Sequence, residues 1–229
     1  MDTDKLQESL GYVFRDQKLL RGALTHSSYS KEMGISRSNE RLEFLGDAFF
    51  DAIIGEELYH MFPKKEEGML SRIRATIVCE KSLAQTARRL ELGSFLLLGH
   101  GEEKSGGRRR ESILADALEA LIGAIYLDGG YETVKTVVLR LFRDVIDDTK
   151  KGIYIVYDYK THLQEVLQAK GITDIRYQMT GEEGPDHDKT FTVCLFIDGS
   201  PAAHGRGKSK KQAEQLAARE ALKEDWNEF

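Results

Sequence analysis

The sequence is short of the residues that staple or punctuate small folds: its 229 residues include two cysteines, three prolines and one tryptophan. Cys79 and Cys194 lie far apart and fit no Cys-x-x-Cys spacing, so a disulfide scaffold is excluded and reduced thiols are expected. No apolar run approaches the ~18 charge-free residues of a membrane span. The residues before Gly11 lack the layout of a secretory signal. These absences predict a cytoplasmic chain with no membrane partner. Net positive charge is missing too: 33 Lys+Arg against 38 Asp+Glu leave −5, so a nucleic-acid partner has to be met by local basic patches rather than by a global field. What is present is a 41% hydrophobic content, enough for one large core or two small ones.

Against this background the stretch Asn39-Glu-Arg-Leu-Glu-Phe-Leu-Gly-Asp-Ala48 stands out, because an apolar helix is expected to begin there and yet it carries three carboxylates. At 3.6 residues per turn Glu40, Glu43 and Asp47 share one arc, while Leu42, Leu45, Phe49, Ala52 and Ile53 share the opposite, core-facing arc. Phe44 and Phe50 are expected to flank the acids, which sets this face apart from a plain solvated one. A second stretch, from Ser112 to Leu127, is apolar except for Asp116 and Glu119 at i and i+3. Carboxylates on a buried helix must be paired, protonated or metal-bound. Pairing with Arg72 or Arg74 is one solution. Two acids from each of two packed helices form an oxygen-only metal site, the other. Without a Glu-x-x-His pair, the ligand set selects Mg²⁺, or Mn²⁺ as a substitute, over iron. Carboxylates that converge without a counter-cation repel one another, so their pKa values should rise.

The two stretches, Asn39 to Ala48 and Glu111-Ser-Ile-Leu-Ala-Asp-Ala-Leu-Glu-Ala120, resemble the signature stretches of bacterial ribonuclease III, and the resemblance extends over nearly the whole chain. It implies a homodimeric, divalent-metal-dependent endonuclease that cuts double-stranded RNA in processing such as rRNA and mRNA maturation. It further implies two-metal hydrolysis that leaves 5′-phosphate and 3′-hydroxyl ends, with no small-molecule cofactor. Carried over by position, Glu43, Asp47, Asp116 and Glu119 are the metal ligands. Asp47 and Glu119, with the further acids Glu40 and Glu67, form the catalytic set. Phe44 is the ring that enters the partner subunit. Asp51 has no counterpart role and reads as a solvated or salt-bridged acid.

In chain order, helices are expected from Asp4 to Leu10 and from Asp16 to Leu24, then a polar turn Thr25-His-Ser-Ser28, with His26 bonding backbone rather than metal. A Gly/Ser loop from Met33 to Ser38 leads into the acidic helix, which Pro63 stops. One long helix is expected from about Met69 to Leu92, with Glu67 at its start and Gly93 as C-cap. The Gly-rich segment from Gly99 to Glu111 carries Arg108, Arg109 and Arg110; composition favours a mobile solvated loop over a phosphate contact. Ser112 is the expected N-cap of the buried acidic helix. A last helix from Tyr131 to about Lys150 completes an all-α domain over residues 1–150.

Residues 151–157 read as an unusually apolar linker. Over residues 158–229 the hydrophobic period changes to an α-β-β-β-α pattern: a helix from Asp158 to Lys170, strands Ile175 to Thr180, Thr190 to Ile197 and Ala202 to Gly205, and a helix from Ser209 to Glu224. Lys208, Lys210 and Lys211 crowd a helix start. There they oppose the dipole unless an anion such as phosphate is bound. Gly205 to Ala213 and Thr161 to Glu165 are similar to the two signatures of the double-stranded RNA-binding domain. That resemblance makes Thr161, Gln164, Glu165 and His187 minor-groove contacts and Lys208, Ser209, Lys210 and Lys211 phosphate contacts. Two other readings stay open: a non-catalytic RNA-binding scaffold, and an all-helical nucleotide pyrophosphohydrolase.

Overall fold

The computed structural model describes residues 3–150, 159–185 and 189–224, apart from the side chains of Glu165, Lys223 and Glu224. The chain separates into two compact units, Met1–Ile155 and Val156–Phe229. The apolar linker and His187 lie outside the described residues.

The first unit is helical throughout: α1 Asp4–Leu10, α2 Gln17–Ala23, α3 Ser27–Met33, α4 Glu40–Met61, α5 Glu67–Ile77, α6 Glu80–Arg89, α7 His100–Lys104, α8 Glu111–Gly129, α9 Tyr131–Leu141 and α10 Arg143–Lys150. Helix α8 is its axis, and eleven of its nineteen residues are buried, from Ile113 to Ile125. A helix apolar on nearly every side has to be wrapped by others; α4, α6, α2 and α9 pack around it.

Several expected boundaries move. The expected long helix from Met69 to Leu92 is two helices, α5 and α6, broken at Val78–Cys79, where Cys79 turns extended (ψ 152°). No glycine or proline marks the break. Three consecutive β-branched residues, Thr76, Ile77 and Val78, weaken the helix there. Gly93 therefore caps nothing; it sits in a 3-10 turn, Leu92–Phe95, where a Cβ would lie 2.3 Å from the Arg108 carbonyl oxygen. The C-terminal helix likewise breaks before Phe142, whose buried ring packs 4.6 Å from Phe50. The expected polar turn at Thr25–Ser28 is the start of α3: His26 is its N-cap and Nδ1 accepts from the Ser28 amide at 3.2 Å.

The segment expected to be a mobile loop is ordered by α7 and a second 3-10 turn. Arg108 donates to the carbonyls of Gly93 and Leu96, both at 2.8 Å, and Arg110 pairs with Glu102 at 2.6 Å. Helix α8 starts at Glu111 with Arg110, not Ser112, in the capping position. On α4 the core face is Gly46, Phe50, Ile53, Ile54 and Leu58. Phe50 is thus fully buried and does not flank the acids, and Ala52, expected in the core, is exposed.

The second unit follows the expected α-β-β-β-α order: α11 Tyr159–Ala169, β1 Ile175–Glu183, β2 Thr190–Ile197, β3 Ser200–Gly207 and α12 Lys210–Glu224. The strands form an antiparallel sheet in the order β1-β2-β3. A bulge between Met179 and Gly181 lets β1 run three residues past Thr180. Leu163 and Leu167 of α11, Leu195 of β2 and Ala217, Ala218, Ala221 and Leu222 of α12 form its core. The i, i+3/i+4 spacing on the helices puts their core residues on one face, against Leu195 of the sheet.

Candidate active site

The site grows from a helix crossing. Gly46 of α4 and Gly123 of α8 meet so closely that a Cβ on Gly46 would lie 1.8 Å from the Glu119 carbonyl oxygen, and one on Gly123 would lie 2.3 Å from the Leu42 carbonyl oxygen. Only glycine allows two helix backbones to touch in this way. Glu43 precedes Gly46 by one turn, and Glu119 and Asp116 precede Gly123 by one and two turns, so the backbone contact draws three acids to the same side of the crossing.

A carboxylate oxygen from each of Glu43, Asp116 and Glu119 lies within 4.8 Å of the other two, and all three residues are half-buried. The charges that act on them are those of other acids and, at Asp116, of His26. Burial pushes the Glu119 carboxyl up to about 8, reinforced by the charges of Asp47, Asp116, Glu43 and Asp51. Burial also raises Glu43, with help from Asp116, Glu40 and Asp47. Asp116 is raised by burial and by Glu80, and pulled back by His26. Burial raises all three, so a cation held among them would compete with protons for their oxygens. Ligands about 2.1 Å from Mg²⁺ stand at most about 4.2 Å apart, so rotamer-scale closure of this set would suffice to hold such an ion.

The other expected residues fall around this centre. Asp47 is exposed on the next turn of α4, outside the three-acid set, and acts on Glu119 through its charge. Glu40, the first residue of α4, is exposed and accepts from the Ser38 hydroxyl at 2.6 Å. Glu67 opens α5, also exposed, and accepts from Ser71 at 2.7 Å. Phe44 is 79% exposed beside Glu43. Glu80 and His26 are the influences on Asp116 that sequence reasoning did not find. They lie on α6 and before α3, and no spacing along the chain connects them to α8.

In the second unit Thr161 and Gln164 are exposed on one face of α11, one turn apart. Lys208, Lys210 and Lys211 are exposed at the start of α12, and Lys210 and Lys211 make no ion pair among the described residues. Ser209 is the helix cap: its Oγ accepts from the Gln212 amide at 3.2 Å while the Gln212 side chain accepts from the Lys208 amide at 2.7 Å. This reciprocal pair satisfies the Lys208 and Gln212 amides at the helix start.

Comparison with known proteins agrees with both halves. Residues 16–145 match the family described as Ribonuclease-III-like, and residues 159–224 match the double-stranded RNA binding motif. The chain is 54% identical over 218 residues to Ribonuclease 3 of Caldanaerobacter subterraneus subsp. tengcongensis, covering 95% of each chain. It is 48% identical over 212 residues to Ribonuclease 3 of Syntrophomonas wolfei, covering 93% of this chain and 90% of the relative. The solved nuclease domain of ribonuclease III from Campylobacter jejuni, 51% identical, superposes with a TM-score of 0.61 over 64% of this chain and 99% of that domain. With a helical nuclease unit, a three-acid centre at a glycine crossing and a double-stranded RNA-binding unit, the chain belongs to the ribonuclease III family and is a double-stranded RNA endonuclease.

Proposed function

We propose that Glu43, Asp116 and Glu119, joined by Asp47, hold divalent metal, Mg²⁺ with Mn²⁺ as substitute, and that phosphodiester hydrolysis takes place over them. The supporting observation is the convergence of three half-buried carboxylates within 4.8 Å. An all-oxygen donor set of this kind suits hard cations. Bound metals would supply an activated water and neutralise the scissile phosphate and the leaving 3′-oxygen, giving 5′-phosphate and 3′-hydroxyl ends. The chain's own contribution is placement. The Gly46–Gly123 contact fixes the acids on rigid helices, and Glu119 would give up its proton to hold the metal. Glu40 and Glu67, tied by Ser38 and Ser71, line the approach.

Duplex RNA is held by the second unit through Thr161, Gln164, Glu165 and His187 in the minor groove and Lys208, Ser209, Lys210 and Lys211 on phosphates. Two copies pair through α4. Phe44, 79% exposed, and Tyr59, 68% exposed, share a helical stripe with Ala48 and Ala52, and such a face is self-complementary in a two-fold dimer. The Campylobacter jejuni nuclease domain has a region involved in dimer formation. In this chain dimerisation would give two sites, one for each RNA strand, in processing of rRNA and mRNA precursors.

The test supplies the purified chain with duplex RNA, single-stranded RNA and nucleoside triphosphates, with Mg²⁺ and with chelator. Metal-dependent cutting of the duplex alone is the expected result. Cutting of the duplex that persists in chelator would remove the metal from this reading.

A further inference from the structure

A cavity of about 230 Å³ opens on the second unit between α11 and the start of β1, lined by Lys160, Gln164, Thr173, Ile175 and Tyr177. Its one cation is already compensated. Lys160 Nζ stands 2.7 Å from Glu214 Oε2 and 4.4 Å from the centre of the Tyr177 ring, so the cavity offers no free charge to a phosphate. Its other polar groups are neutral: the Gln164 amide and the Thr173 hydroxyl are exposed and make no hydrogen bond among the described residues, and the Tyr177 hydroxyl is buried. Ile175 and Tyr177, packed on the unit's core, supply an apolar wall.

The volume falls below the roughly 300–1,000 Å³ of pockets that hold whole small molecules, which leaves room for one ring rather than a nucleotide. An uncharged ring with apolar faces and donors and acceptors on its edge has the chemistry of a nucleobase. Inside a paired duplex every base is stacked and its edge engaged; a base displaced in a bulge or loop has both free. The cavity is also placed for one, because Gln164 belongs to the exposed face of α11 that carries Thr161.

We propose that the cavity between α11 and β1 captures one unpaired nucleobase from a bulge or loop adjoining the bound duplex, packed against Ile175 and Tyr177 and hydrogen-bonded by Gln164 and Thr173. This rests on the reading of α11 as the minor-groove helix. It makes the second unit a sensor of interruptions in the duplex, and so a contributor to site choice.

The test measures binding by the full chain in chelator, to a fully paired duplex and to duplexes carrying one unpaired 2-aminopurine moved along the strand in single steps. At one position affinity rises about tenfold, equivalent to about 1.4 kcal/mol, and the probe's fluorescence is quenched. Thr173→Leu puts a branched apolar group in the cavity and removes the hydroxyl from an exposed loop position. It abolishes both signals while leaving the paired-duplex affinity unchanged, whereas Thr173→Ser retains both. Equal affinity at every position, or a preference that survives Thr173→Leu, overturns the proposal. A wild-type chain that fails to bind the paired duplex overturns the reading of α11 instead.

Discussion

The two units solve opposite electrostatic problems. In the first, like charges are gathered where water is scarce. Glu43, Asp116 and Glu119 sit at a backbone-to-backbone crossing, and burial is the largest cause of the raised pKa of each. In the second, like charges stay in water. Lys208, Lys210 and Lys211 are exposed, and a side-chain cap satisfies the helix start beneath them. The difference teaches where each activity is vulnerable: the acidic centre depends on the packing of the core, the basic turn on the ionic strength around it.

The sharpest way to break the comparison is Glu119→Gln, which keeps volume and removes one acid from the centre. Cleavage of duplex RNA should fall by about 10³-fold or more, beyond the ~10²–10³ of one lost transition-state donor, while duplex affinity stays within twofold. Single-turnover assays beside binding isotherms check this, and an active variant removes Glu119 from the site. Next in size is Gly46→Ala. The new Cβ meets the Glu119 carbonyl, which no rotamer change relieves, so the cost should reach the upper end of the ~1–3 kcal/mol seen for overpacking. Urea unfolding measures it, and an unchanged midpoint would mean that the two helices separate freely.

On the other side of the comparison, Lys210→Ala with Lys211→Ala should leave folding untouched and weaken all duplexes alike. Each lost phosphate contact lowers the salt slope by about 0.9, so a change of about 1 to 2 in the slope of log K against log salt is expected. A slope equal to wild type would take both lysines out of the interface.

A further effect concerns stability without metal. Glu119 has its folded pKa at about 8 against an ordinary 4.5, so the folded state binds the extra proton. Stability from this group is fully present below pH 4.5 and is lost as pH rises through about 8. Glu119→Gln does not titrate, so in chelator it should melt above wild type at neutral pH, with the gap closing toward pH 4. Added Mg²⁺ should raise wild type more than the variant. A variant that melts below wild type at pH 7 in chelator would show that Glu119 accepts a stabilising bond within the protein.

The sequence was most informative where one element carries its own signal. Helix α8 was legible because an apolar run with two acids leaves few folds open to it. The sheet and helices of the second unit were legible because the hydrophobic period changes after the linker. Signals failed where the cause lies in another part of the chain. The α5–α6 break has only a β-branched run to mark it, and the turn before Phe142 follows from a ring reaching Phe50 across the core. Arg108 looked like part of a mobile loop because its acceptors, the carbonyls of Gly93 and Leu96, carry no residue-type signature.

By itself the sequence determined which residue types are available: acids at i and i+3 on one apolar helix, acids on a second helix, and lysines at the start of a third. These follow from local periodicity, and with them came the family. Only the tertiary structure decided which acids meet. Asp47 and Glu43 look equivalent along α4, yet Glu43 joins Asp116 and Glu119 while Asp47 stays exposed on the next turn. That choice is made by the Gly46–Gly123 contact, because the distance between two helices depends on the side chains absent from both at once, and no single stretch of sequence records that.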